Sequence, residues 1–157
     1  MTTATVHHDF KGYGAYQLSI SEKMIRQRLI EGLKDLADKN ETCLIKARSQ
    51  GREKLVSQIL SVKKLIGRII EESETSQSGA VYRLERIQPS DEEAATDTDR
   101  DIEKLISESG GIINALTCSE TDMHLADRFV DMIAKMNEIE KLLHKRQKIF
   151  KRMQVYA

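Results

Sequence analysis

The sequence predicts an all-α fold, an antiparallel bundle of about four long helices in two hairpins joined by an acidic loop. Charged residues make up 32% of the 157 residues and aromatic residues only 4%, with a single proline. This composition favours long helices over sheets. In addition, apolar residues recur at intervals of three and four in four separate segments, which is the period of one helix face.

Residues 1–19 are predicted to form an irregular arm, followed by one helical-bundle domain over residues 20–157. Glycines in the stretch "FKGYGAY" interrupt a helix there. The candidate anchors of the arm are three of the seven aromatic residues of the chain: Phe10, Tyr13 and Tyr16. A free tail seldom concentrates aromatic residues, so we expect the arm to pack on its own bundle or on a partner.

The first two helices are predicted to form a hairpin that turns at Gly51. The first helix begins with a cap at Ser19 or Ser21 and carries an apolar face to about Arg48. The glycine fits a helix C-terminus and therefore indicates a tight turn. In the second helix apolar residues alternate by four and three, as in a packed seam, up to an expected end near Ser73.

An acidic loop is predicted at about 74–98, where the periodicity stops. This stretch contains the only proline and many Ser, Thr, Asp and Glu residues, which is typical of a loop. The third helix is expected to begin at Ser90, which has capping-box spacing to Glu93, or near Thr98. A glycine pair at 110–111 indicates a kink or a close helix crossing within it.

The fourth helix carries the longest apolar series, which we name the inner stripe. Its nine positions follow heptad spacing, and eight of them are apolar: Leu125, Phe129, Met132, Met136, Ile139, Leu143, Arg146, Phe150 and Met153. A helix of about 35 residues is about 50 Å long. Because the third helix is predicted to be shorter, the end of the fourth should overhang it and remain uncovered.

The predicted partner-binding residues lie on this overhang. Its apolar residues would pack in a groove or a coiled coil of the partner, and its bases would set the orientation. These residues are Leu143, Ile149, Phe150, Met153, Lys145, Lys148, Lys151 and Arg152.

A net charge of zero conceals two oppositely charged segments. Residues 74–101 carry eight acids and three bases, whereas residues 134–157 carry seven bases and two acids. We expect the acidic segment to lie near the basic helix end, or each segment to meet an oppositely charged partner. The neutral total disfavours a dedicated nucleic-acid protein.

Catalytic residues, metal ligands and cofactors are not predicted. The pairs Glu120…His124 and Glu140…His144 lie 20 residues apart on one helix and point in nearly opposite directions, so they cannot share a metal. The sequence contains no Gly-rich phosphate loop and no nucleophile elbow. We therefore expect neither an enzyme nor a small-molecule substrate.

The expected location is the cytoplasm. Cys43 and Cys118 have no metal-type or redox-type spacing and are predicted to stay reduced. The first residues lack the basic start and apolar run of a secretory signal. A stretch of about 20 apolar residues, as needed to cross a bilayer, is not found.

Residues 13–73 resemble the flagellin-export chaperones in outline. The shared outline is "YGAYQ", a long helix, a turn at "SQGREK" and a second apolar helix, although the Ser-Pro signature of the family is missing. The resemblance implies a small cytosolic four-helix protein that holds a partner's helix in an apolar groove.

The expected function is non-enzymatic protein–protein interaction, as an adaptor, an assembly subunit or a secretion or export chaperone. One alternative is a homo-oligomeric coiled-coil structural protein in which the inner stripe pairs with itself. A third reading, a nucleic-acid or membrane-surface binder, would use the basic end of the last helix.

Overall fold

A computed structural model describes residues 15–75, 88–116 and 122–153, with side chains described from Glu22 onward and, in the last range, from His124 onward. These residues form α1 (Ala15–Ser49), α2 (Glu53–Thr75), α3 (Pro89–Leu116) and α4 (Asp122–Met153). The three described ranges contain no strand. The all-α bundle of four long helices is therefore confirmed.

Each helix packs against two neighbours, as in a square. α1 contacts α2 and α3, and α4 contacts α3 and α2. Both hairpins are antiparallel, as shown by ion pairs in which early residues of one helix meet late residues of the other. These ion pairs are Lys34–Glu74 and Glu41–Lys63 in the first hairpin, and Asp91–Arg152 and Glu108–Lys135 in the second.

The two hairpins pack on each other through parallel neighbours. The polar contacts between them include Arg28–Glu103, from α1 to α3, and Arg68–Glu140 and Glu72–His144, from α2 to α4. Consequently α2 and α3, which follow each other in the chain, lie on a diagonal of the square.

The turn between α1 and α2 is a Schellman motif, which confirms the turn predicted at Gly51. The Arg52 N–H donates to the Ala47 carbonyl and the Gly51 N–H donates to the Arg48 carbonyl, both at 3.1 Å. Gly51 has a φ of 66°, in the left-handed region. Glycine adopts this conformation without a Cβ clash and therefore suits the position.

Both uncertain helix starts lie earlier in the chain than the sequence predicted. α1 begins at Ala15, not at Ser19 or Ser21, so the irregular arm ends sooner. α3 begins at Pro89, not at Ser90 or Thr98, and thus the second half of the predicted acidic loop is helical. The Gln88 carbonyl accepts the first hydrogen bonds of α3, from the N–H groups of Asp91 and Glu92. Proline suits the first helical position because its fixed φ matches the helix and its missing N–H would find no helical partner.

The predicted overhang of α4 is wrong. Ile149, Phe150 and Met153 are only 2%, 1% and 0% exposed. Since α3 starts nine residues before Thr98, it is about 13 Å longer than that start would have allowed. Its first turns cover the C-terminal end of α4, because the two helices run antiparallel.

Buried apolar side chains from all four helices form one core. Eight residues of the inner stripe are buried, and the ninth, Leu143, is half-buried against the core. The glycine pair at 110–111 lies in continuous helix, and Gly110 is the member at a close approach. A Cβ there would lie 3.2 Å from the Nζ atom of Lys39 on α1.

Candidate interaction surface on the last helix

The predicted partner-binding residues separate into a buried and an exposed group. The apolar members Ile149, Phe150 and Met153 belong to the protein's own core, so a partner cannot reach them in the folded bundle. The four bases are all exposed: Lys145, Lys148, Lys151 and Arg152. Leu143 is half-buried, so the part of the predicted site that is fully available on the surface is its basic part.

A second heptad series, which we name the outer stripe, runs along the opposite side of α4. Its eight residues alternate by four and three and are all exposed: Asp127, Asp131, Ala134, Glu138, Lys141, Lys145, Lys148 and Arg152. The three acids precede the four bases, so the charge changes sign once along the helix. Because the inner stripe on the other side of α4 packs in the core, the outer stripe faces away from the bundle.

Most charged residues of the outer stripe form no ion pair with another described residue. Asp131 pairs with Lys135 at 3.8 Å, and Arg152 pairs with Asp91 at 2.8 Å. Among the described residues no ion pair involves Lys141, Lys145 or Lys148. By contrast, the bases at the borders of α4 with its neighbours pair across helices, as Lys135 does with Glu108 at 3.0 Å.

A buried ion cluster holds the C-terminal half of α4 in place. The Nε atom of Arg146 donates to Asp99 on α3 at 2.7 Å, and its Nη1 atom donates to Glu22 on α1 at 3.1 Å. All three side chains are at most 6% exposed. The guanidinium also lies 4.5 Å from the centre of the Phe150 ring, within cation–π range. One side chain thus connects three helices.

The electrostatics of this cluster keep Arg146 charged. Burial disfavours the guanidinium, but the negative charges of Asp99 and Glu22 and their hydrogen bonds outweigh it and raise the pKa of Arg146. Sequence reasoning missed this cluster. The available signal was a base on an otherwise apolar stripe, because such a residue must find an opposite charge when it is buried.

The described part of the acidic segment lies beside the basic end of α4, as the charge pattern predicted. Asp91 pairs with Arg152, and Asp99 pairs with Arg146. Acids in the first turn of α3 and bases in the last turn of α4 also complement the helix dipoles. The two charged segments therefore neutralise part of each other within the chain.

The histidines examined for metal binding lie on surfaces. His144 and Glu140 each pair with α2, to Glu72 at 3.3 Å and to Arg68 at 3.0 Å. In the three described ranges, no group of three His, Cys, Asp or Glu side chains could hold a metal ion. His124 is exposed, and Glu120 lies outside the described residues.

Other sequence predictions concern residues that the structure describes in part. Cys43 is buried, and burial raises the pKa of its thiol, which disfavours the reactive thiolate. Cys118, Phe10 and Tyr13 lie outside the described residues, and Tyr16 is described only as part of the backbone of α1. Within the described ranges, no helix is long and apolar enough to cross a membrane.

Comparison with known proteins identifies no relative of this chain. No family model matches the sequence, and neither a curated protein nor a solved structure is significantly similar to it. Functional inference therefore depends on the outer surface of the bundle.

Proposed function

We propose that this chain is a non-enzymatic protein–protein interaction module of the cytoplasm, acting as an adaptor, an assembly subunit or a secretion chaperone. Its contact surface is the outward-facing side of α4 and not the inner stripe. The observation that carries the proposal is the row of exposed lysines at 141, 145 and 148, which lack a carboxylate partner among the described residues.

Three features support this surface. The lysines follow one another by four and three residues, so they lie on one side of α4 within about two turns. The helix beneath them is fixed by the buried Arg146 cluster, so their spacing is set before a partner arrives. A row of like charges on a helix held in place attracts an acidic surface and helps to set its register.

The proposal is tested by affinity capture with a charge-reversed variant. The tagged wild-type chain and the variant K141E/K145E/K148E are incubated with nuclease-treated native lysate at low and at high salt, and bound proteins are identified by mass spectrometry. We expect a stoichiometric protein that binds the wild type, dissociates at high salt and is absent from the variant.

The matched control is K54E/K64E, which reverses two exposed lysines of α2. These lysines also form no ion pair among the described residues. Their reversal should leave capture unchanged. Equal capture by the α4 variant and the wild type would refute the proposed surface, and capture from a parallel untreated lysate but not from the nuclease-treated one would instead indicate a nucleic-acid ligand.

A further inference from the structure

We propose that the partner of the outer stripe is a second copy of this chain, whose α4 lies antiparallel along it in a two-fold symmetric, salt-sensitive dimer. This inference rests on the proposed function and names its partner. Such a dimer requires that the outer stripe be exposed, complementary to itself in charge and regular in spacing.

The spacing of the outer stripe is symmetric about a point midway between Glu138 and Lys141. Its intervals are four, three, four, three, four, three and four residues, which read the same in both directions. A two-fold axis at that point therefore places each position of one helix opposite another position of the stripe. Antiparallel coiled coils pair the two kinds of heptad position in this way.

The charges of the outer stripe are antisymmetric about the same point. The two-fold axis places Glu138 opposite Lys141 and Asp131 opposite Lys148. It also places Asp127 opposite Arg152 and Ala134 opposite Lys145. Three of the four pairs thus combine an acid with a base, and the two-fold axis repeats each pair.

A parallel arrangement of the two helices is disfavoured by the same charges. It would place acids against acids in the first half and bases against bases in the second, and like charges in contact are repulsive. The sequence of charges therefore selects one direction for the second helix. The self-pairing surface is also distinct from the inner stripe, which is occupied by the other three helices.

The dimer should be weak and sensitive to ionic strength. Exposed ion pairs each contribute little to the binding free energy. Salt weakens the attraction between exposed charges, and at 0.1 M it screens charges that are more than about 10 Å apart. We therefore expect the dissociation constant to rise about tenfold or more between low and high salt.

The test is a charge exchange measured by sedimentation velocity over a concentration series. The wild type should dimerise at low salt. Two variants, K141E/K145E/K148E with an acidic stripe and D127K/D131K/E138K with a basic stripe, should each be monomeric alone. An equimolar mixture should form a heterodimer, because an acid of one chain then lies opposite a base of the other at five of the eight stripe positions. Circular dichroism confirms that each variant is folded, and K54E/K64E should dimerise like the wild type.

Either of two results would overturn the dimer. One is a wild type that remains monomeric at low salt up to its highest soluble concentration, and the other is a pair of variants that do not bind each other. If lysine-dependent capture of another protein persists with a monomeric wild type, the proposed function stands and its partner is an acidic protein instead.

Discussion

At the scale of single residues, Arg146 has the largest structural role in the last helix. An apolar residue at position 146 would continue the heptad pattern of the inner stripe. The positive charge of Arg146 is instead balanced by Asp99 and Glu22. The two acids precede it by 47 and 124 residues. Sequence periodicity could predict that position 146 is buried, but it could not identify partners so distant in the chain.

Replacing Arg146 by Met should destabilise the bundle by about 3–5 kcal/mol, because two carboxylates would be left buried without their base. Urea unfolding followed by circular dichroism measures the change. The triple variant R146M/D99L/E22L removes the charges together and should recover most of the loss. If the single variant is as stable as the wild type, the cluster does not hold the helices together.

The Glu108–Lys135 pair should make a small, pH-dependent contribution to stability. The hydrogen bond that Lys135 donates to the Glu108 carboxylate lowers the pKa of Glu108 below the usual carboxyl value. The stabilisation is thus present above the unfolded-state pKa and is lost as the pH falls through the folded-state pKa.

Glu108→Gln should therefore be less stable than the wild type at neutral pH and equally stable in acid. Thermal unfolding across the acidic range measures this difference, with Glu71→Gln as the control on an exposed acid of α2 that forms no ion pair among the described residues. A stability difference between Glu108→Gln and the wild type that stays constant with pH would contradict the lowered pKa of Glu108.

At the scale of elements, periodicity predicted the four helices. Of the two starts expected for α3, Ser90 lies one residue from the observed Pro89 and Thr98 is wrong. A run of acids looks like a solvated loop, and Asp99 belongs to that run although the buried Ala95 and Ile102 lie one helical turn before and after it. The acids are favourable there because they lie near a helix N-terminus and face the bases of α4. This mistake also produced the false overhang, since the length of α3 decides whether the end of α4 is covered.

Phe150→Ala should destabilise the protein by about 3–5 kcal/mol, as expected for a large side chain removed from a core. Phe150 is 1% exposed. The exposed Lys151→Ala is the matched control and should change stability by less than about 0.5 kcal/mol. If the C-terminal end of α4 were uncovered, as the sequence suggested, Phe150 would be exposed. Phe150→Ala and Lys151→Ala would then have similar free energies of unfolding in chemical denaturation.

Gly51→Ala should cost about 1–2 kcal/mol, because a Cβ is disfavoured at the positive φ of the hairpin turn. Gly67, which lies in α2 with open space at its Cβ position, provides the opposite control. Gly67→Ala should stabilise the helix by about 1 kcal/mol. Equal melting temperatures for the two variants would contradict the Schellman geometry.

At the scale of the whole molecule, one core joins both hairpins, so the four helices should unfold together. In a Cys118→Ser variant, labelling of the buried Cys43 thiol should follow the same denaturant midpoint as the loss of helix content. Separate midpoints would show that the hairpins unfold independently. The sequence predicted the bundle and its hairpins, but not which helices are diagonal, because that depends on contacts between distant segments.

The contact between Glu22 and Arg146 also orders events during protein synthesis. α2 does not cover the beginning of α1, since Lys34, near the middle of α1, already pairs with Glu74 at the end of α2. Glu22, early in α1, contacts instead a helix that the ribosome makes last. Glu22 thus gains its buried partner on α4 only after residue 146 has been translated. A nascent chain interrupted before this point would present an unfinished first helix to chaperones and proteases.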